Sequence, residues 1–124
     1  MANKGKRQIK RGPAPVVDAT DGRIPRVTRL MALAIKFDRL IASGGVRDQA
    51  EVAELGYVTR ARVTQIMNLL HLAPDIQEQI LFLPPVTAGR DPVYEGDLRP
   101  IAALLHWDLQ RARWAALRRN RSGL

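Results

Sequence analysis

The chain has 124 residues, 20 Lys+Arg against 12 Asp+Glu for a net charge of +8, and no cysteine. That length fits one domain with a modest core, and the absence of thiols excludes a disulfide framework, a thiolate metal site and a cysteine nucleophile. No apolar run reaches the roughly 18 residues of a membrane span, and the first thirty residues scatter their apolar side chains among charges and prolines, unlike a signal peptide. The expectation is a soluble, basic, cytoplasmic protein without a membrane partner.

The charge is unevenly spread. Residues 1–26 hold seven basic and two acidic residues (+5), residues 27–107 eight and nine (−1), and residues 108–124 five and one (+4). No acid occurs between Leu55 and Pro74, while Arg60 and Arg62 fall inside that gap. Basic ends on a neutral body suit a polyanion, because each neutralised phosphate releases counterions. Sixteen of the twenty basic residues are arginine, which a GC-rich genome alone would also produce. A membrane surface is disfavoured, since the N-terminus lacks a basic amphipathic helix with large apolar anchors.

Residues 1–24 combine Lys, Gly and Pro with few large apolar side chains and read as a disordered basic arm. Pro25 then suits a first helical position, and Val27, Leu30, Met31, Ala34, Phe37 and Ile41 recur at three- and four-residue steps. The spacing predicts a helix to about Ala42, stopped by Gly44-Gly45, with Arg26, Arg29, Lys36 and Arg39 on another side. Asp48 is a predicted N-cap for a helix 49–55, and Thr59 for a helix 60–70 with Val63, Ile66, Met67 and Leu70 on its apolar side. A further helix starts at Pro74 and ends before Pro84-Pro85.

Residues 84–96 read as a loop in which Asp91 and Glu95 are solvated. Asp97 is expected to cap a helix carrying Pro100 in its first turn, with Leu98, Ile101, Ala102 and Leu105 buried. A last helix over about 108–119 would pack Leu109, Ala112, Ala116 and Leu117. The apolar series from 98 to 116 fits one continuous helix equally well, which leaves a break near His106 open. No strand-like alternation appears. The expectation is an all-α bundle of five to six helices: arm 1–24, helix-turn-helix domain 25–83, loop 84–96, C-terminal helical segment 97–119 and basic tail 120–124.

The window from Gln49 to Asn68, QAEVAELGYVTRARVTQIMN, matches the helix-turn-helix template. Ala53 supplies the small residue at the helix crossing, and Val52, Val58, Val63 and Ile66 supply the apolar positions. The ninth position, where a left-handed backbone favours glycine, holds Tyr57, with Gly56 one place early. Either the turn is rearranged or Tyr57 adopts the strained dihedral. Helix 60–70 would then be the recognition helix, presenting Thr59, Arg60, Ala61, Arg62, Thr64, Gln65 and Asn68. Arginine can bond guanine bidentately, Gln and Asn can bond adenine, and threonine can reach phosphate or a thymine methyl. Lys4, Lys6, Arg7, Lys10 and Arg11 of the arm, with Arg47 and Gln49, are the expected backbone contacts. The competing view is a helical hairpin with an ordinary polar face.

The stretch EVAELGYVTRARVTQIMNLLHLAPDIQEQI resembles the helix-turn-helix region of ParB- and KorB-type partition proteins. In that family a Val-Ser/Thr-Arg-x-x-Val recognition helix leads to a Leu-Leu-x-Leu-Pro-like link and an Ile-Gln-rich helix. Here these are Val58-Thr59-Arg60-Ala61-Arg62-Val63, then Leu69-Leu70-His71-Leu72-Ala73-Pro74, then Ile76-Gln77. The resemblance covers about residues 28–83 and implies double-stranded DNA as partner. A short arm stands where the family carries a nucleotide-binding domain, so CTP-dependent clamping is not implied. Residues 97–118 also resemble the tail of small stand-alone helix-turn-helix proteins of phages and mobile elements, which favours a stand-alone DNA binder, expected to be a transcriptional regulator, over a partition clamp.

Other chemistry finds no support in the sequence. His71 and His106 lie far apart without metal-ligand spacing, and no phosphate loop or nucleophile elbow occurs. No catalytic residue, metal or cofactor is expected. Trp107 and Trp114, seven residues apart, read as core or dimer-interface aromatics, and a homodimer through 97–118 is open. Partition, recombination or packaging accessory roles, RNA or general polyanion binding, and a protein-interaction bundle are the alternatives.

Overall fold

In the computed structural model, which describes residues 22–121, the chain is all-α, with six α-helices and no strand among those residues. Helix α1 (Arg26–Ala42) follows the buried Pro25 and turns Val27, Leu30, Met31 and Ala34 inward. It ends where Gly44, at φ +84°, donates its N–H to the Ile41 carbonyl. Helices α2 (Gln49–Gly56) and α3 (Arg60–Met67) follow. A 3-10 helix, Asn68–His71, completes what reads in sequence as one helix 60–70. Helix α4 (Pro74–Leu81) starts on a proline whose missing N–H costs nothing there.

The expected arm, with Lys4, Lys6, Arg7, Lys10 and Arg11, lies outside the described residues except at its end, where residues 22–24 need a correction. Arg23 exchanges two backbone hydrogen bonds with Val86 (3.0 and 2.8 Å) and pairs its guanidinium with Asp91 (2.9 Å). The approach depends on Gly22, where a Cβ would stand 2.6 Å from the Val86 oxygen at a φ of +91°. Asp91 also accepts the Arg26 N–H (3.1 Å), satisfying a free donor at the start of α1. It is therefore a structural acid and not a solvated one.

Helix α5 (Glu95–Ala102) is capped at Tyr94, three residues earlier than expected. Asp97 is not its N-cap. It sits in the first turn, accepts the Tyr94 N–H (2.8 Å), and holds Arg121 through two further bonds (2.9 and 3.0 Å). Pro100 consequently falls in the second turn, with the exposed Gly96 carbonyl losing its helical donor to open solvent.

The chain breaks at residues 103–106, and α6 (Trp107–Arg121) runs two residues into the expected tail. That break resets the helical phase, so the apolar series from 98 to 116 is not one stripe. Leu105 (91% exposed), Leu109 and Ala112 face out, while Gln110 and Trp114 face in. Trp107 is half exposed beneath the Arg111 guanidinium, so the two tryptophans do not share a buried face.

One core joins α1, Ile66, the 3-10 helix, α4, α5 and Trp114, so residues 25–83 and 97–119 share a single interior and are not separate units. Fully buried Met31, Leu69, Leu72, Ile76, Ile80 and Leu98 each contribute about 1.5–3 kcal/mol of burial. Amides bind the layers together. Gln110, 1% exposed, accepts the Ala73 N–H (2.8 Å) and donates to the carbonyls of His71 (3.1 Å) and Leu104 (3.0 Å). Gln77 donates to Leu70 and Leu72, and the Trp114 indole donates to Gln79. No helix is long and apolar enough to cross a membrane among the described residues.

Candidate nucleic-acid interface

A second, smaller core lies beneath α2 and α3. Val46, Val52, Ala53 and Val63 are buried, with Phe37, Leu40, Ile41 and Met67 packed around them. Ala53, 6% exposed, is buried in this core as expected, and Val63 is fully enclosed. Val58, expected inside, is exposed (44%), because it lies in the turn beyond the packed faces of the two helices. Both helices carry the predicted caps. Asp48 accepts the Glu51 N–H (3.0 Å) while Glu51 accepts the Arg47 N–H (2.7 Å), and Thr59 accepts the Arg62 N–H (3.0 Å).

The three-residue turn between them is resolved by Tyr57, which takes the left-handed conformation at φ +56°, ψ +39°. It is the non-glycine residue with positive φ among those described, and its side chain is 96% exposed. Gly56 stays helical. Of the two alternatives for the turn, the strained dihedral holds.

With the apolar side of α3 buried, its outer side presents Thr59, Arg60, Ala61, Thr64 and Gln65, all exposed, and Asn68 at the start of the 3-10 helix. The Thr64 hydroxyl donates to Gln49 Oε1 (2.8 Å), so the candidate backbone contact on α2 and a candidate reader on α3 are already joined. Arg47 stays largely exposed, 3.6 Å from Glu51. Arg60 forms no side-chain bond with any described residue and is the free cation of this face.

Arg62 departs from the expectation of an outward reader. Its guanidinium grips Glu95 through both terminal nitrogens (2.6 and 3.0 Å) and gives a further bond to Gln65 Oε1 (3.1 Å). Glu95 also receives Arg99 (3.0 Å). The Glu95 side chain is 13% exposed, and the Arg62 hydrogen bond holds its carboxyl below the usual carboxylate range against the opposing effect of burial, with Arg99 adding to it. The same bond raises Arg62. The solvated role expected for Glu95 is therefore overturned, because α5 packs against the 3-10 helix and brings Glu95 to the Arg62 guanidinium.

The sequence shows the Glu95–Arg99 spacing of one helical turn, but nothing local links Glu95 to Arg62 thirty-three residues away. Arg99 and Ala102 of α5, with Ala103 beyond it, border a shallow cavity whose other wall is Gln65, Asn68, Leu69 and His71. No group of His, Asp or Glu that could hold a metal occurs among the described residues.

No family model matches this chain, and neither a curated protein nor a solved structure matches it.

Proposed function

We propose that the protein binds double-stranded DNA sequence-specifically, placing α3 in the major groove, and that it acts as a transcriptional regulator in the bacterial or phage-infected cytoplasm, on the nucleoid. One observation carries the reading: an acid-free outer face of α3 bearing Arg60, Thr64 and Gln65, on a two-helix unit whose inner face is fully packed. Arg60 is the principal reader, able to bond guanine O6 and N7. Thr59, Ala61 and Thr64 line the groove beside it, and Gln49 carries the contact onto the backbone. The terminal charge supplies affinity without sequence information. The protein is a binding module and needs neither catalyst nor cofactor in this role.

The likeness of residues 28–83 to ParB- and KorB-type proteins supports the second reading, an accessory role in partition, recombination or packaging. The DNA contacts are the same in both. Titration of a labelled duplex selected from a random pool tests the shared claim. With about 6 phosphates neutralised, log affinity should fall with log salt at a slope of about −5. Arg60→Ala should cost about 1–3 kcal/mol on the selected duplex and little on an unrelated one. A salt-independent interaction, or equal losses on both duplexes, refutes the reading. A repressor then shows a palindromic site at a promoter, and a partition factor an array of sites.

A further inference from the structure

The network that removes Arg62 from the outer face of α3 has a chemical consequence for what that face can read. Four side chains from two helices are joined in series: Arg99 to Glu95, Glu95 to Arg62, and Arg62 to Gln65. A guanidinium held bidentately by a carboxylate is close to neutral toward a third partner and fixed in direction. The side chains of Arg62 and Glu95 keep 26% and 13% exposure, so the pair lies at the margin of the α3 face, within reach of a polyanion and not sealed in the core. Gln65 is constrained from the same side. Its Oε1 accepts from Arg62, which fixes the amide's orientation and leaves its N–H donors without a bond to any described residue. Donors of that kind suit an acceptor edge, such as guanine O6 and N7 or thymine O4.

We propose that Glu95 is a positioning residue that sets DNA selectivity, by withholding Arg62 from phosphate and by orienting Gln65 through it. This rests on the DNA-binding reading above. An arginine free to swing contacts any phosphate and adds affinity equally to every sequence, whereas an arginine tied down adds none. The first turn of α5, outside the two-helix motif, thereby belongs to the recognition surface. Arg99 shares the same carboxylate while remaining half exposed beside Gln65 and Asn68, and it is the second cation that Glu95 restrains.

The test compares wild type, Glu95→Gln, Glu95→Asp, Arg60→Ala and the double variant Arg62→Gln/Glu95→Gln. Each is titrated with a duplex selected by the wild type and with an unrelated duplex, across a salt series. Glu95→Gln should bind the unrelated duplex about threefold or more tightly at about 0.1 M salt, with a log–log slope steeper by about one to two. The ratio between the two duplexes should fall about tenfold.

The double variant should lose the non-specific gain, because the released Arg62 causes it. Glu95→Asp keeps the charge but shortens the reach, so selectivity should fall with a smaller change of slope. It also carries the test should Glu95→Gln not fold. If wild type and Arg60→Ala behave as the DNA reading requires while Glu95→Gln and Glu95→Asp keep the wild-type slope and ratio, this inference is overturned alone. A gain that persists without Arg62 also overturns it. Absence of salt-dependent duplex binding by the wild type overturns both.

Discussion

Replacing Gln110 by leucine tests whether one buried amide holds the C-terminal helix to the rest of the fold. The two side chains have similar volume, so the change removes hydrogen bonds with little cavity. The Ala73 N–H, in a residue with no exposed surface, would lose its acceptor at 2.8 Å, at about 1–3 kcal/mol for a buried unsatisfied donor. The carbonyls of His71 and Leu104 would each lose a donated bond of about 0.5–1.5 kcal/mol. Added apolar burial offsets about 1 kcal/mol. The net expectation is a destabilisation of about 3 kcal/mol, or a fall in Tm of about 15 °C for a body of this size. Urea and thermal unfolding followed by far-UV circular dichroism measure it. Gln79→Ala is the control, since Gln79 is exposed and water can take over its bond to the Trp114 indole. A Gln110→Leu midpoint within about 1 kcal/mol of wild type would refute the reasoning.

Tyr57→Gly should stabilise the protein by about 1 kcal/mol, because a left-handed dihedral costs a side-chain-bearing residue about 1–2 kcal/mol and the exposed ring offers little in return. An unchanged or lower urea midpoint counts against that. Thr59→Ala should cost about 1 kcal/mol through the lost cap on the Arg62 N–H, and the same denaturation series reads it. The pH dependence follows from Glu95, whose folded pKa lies below its unfolded value of about 4.3. Its contribution is present above that value and is lost as pH falls through the folded pKa. Glu95→Gln should therefore lose less stability than wild type between about pH 5 and pH 2, and parallel profiles would exclude the assignment.

What the sequence made legible was what neighbouring residues decide. The caps Asp48 and Thr59 act three residues away, and the stop at Gly44 is a local dihedral, so all three could be placed without tertiary information. The buried spacing of α1 and the small Ala53 were readable for the same reason. The errors lie where packing decides. Asp97 has the chemistry of an N-cap yet works from inside the first turn, because Arg121 of α6 claims it from the other side. Leu109 and Ala112 fit a helical stripe whose phase was lost at residues 103–106. Arg62 seemed a reader because its partner belongs to a segment that looks, by composition, like loop. For Asp97 and Arg62 the deciding contact spans more than twenty residues, a distance at which one sequence carries no pairing signal.

Tyr57 separates a backbone requirement from the residue that usually meets it. The turn between α2 and α3 uses a left-handed dihedral, and glycine is only its least costly supplier. Reading glycine as the requirement mistakes its commonest solution for the torsion itself, which this backbone reaches with tyrosine. The torsion, and not the letter, is what the join of α2 to α3 asks of position 57.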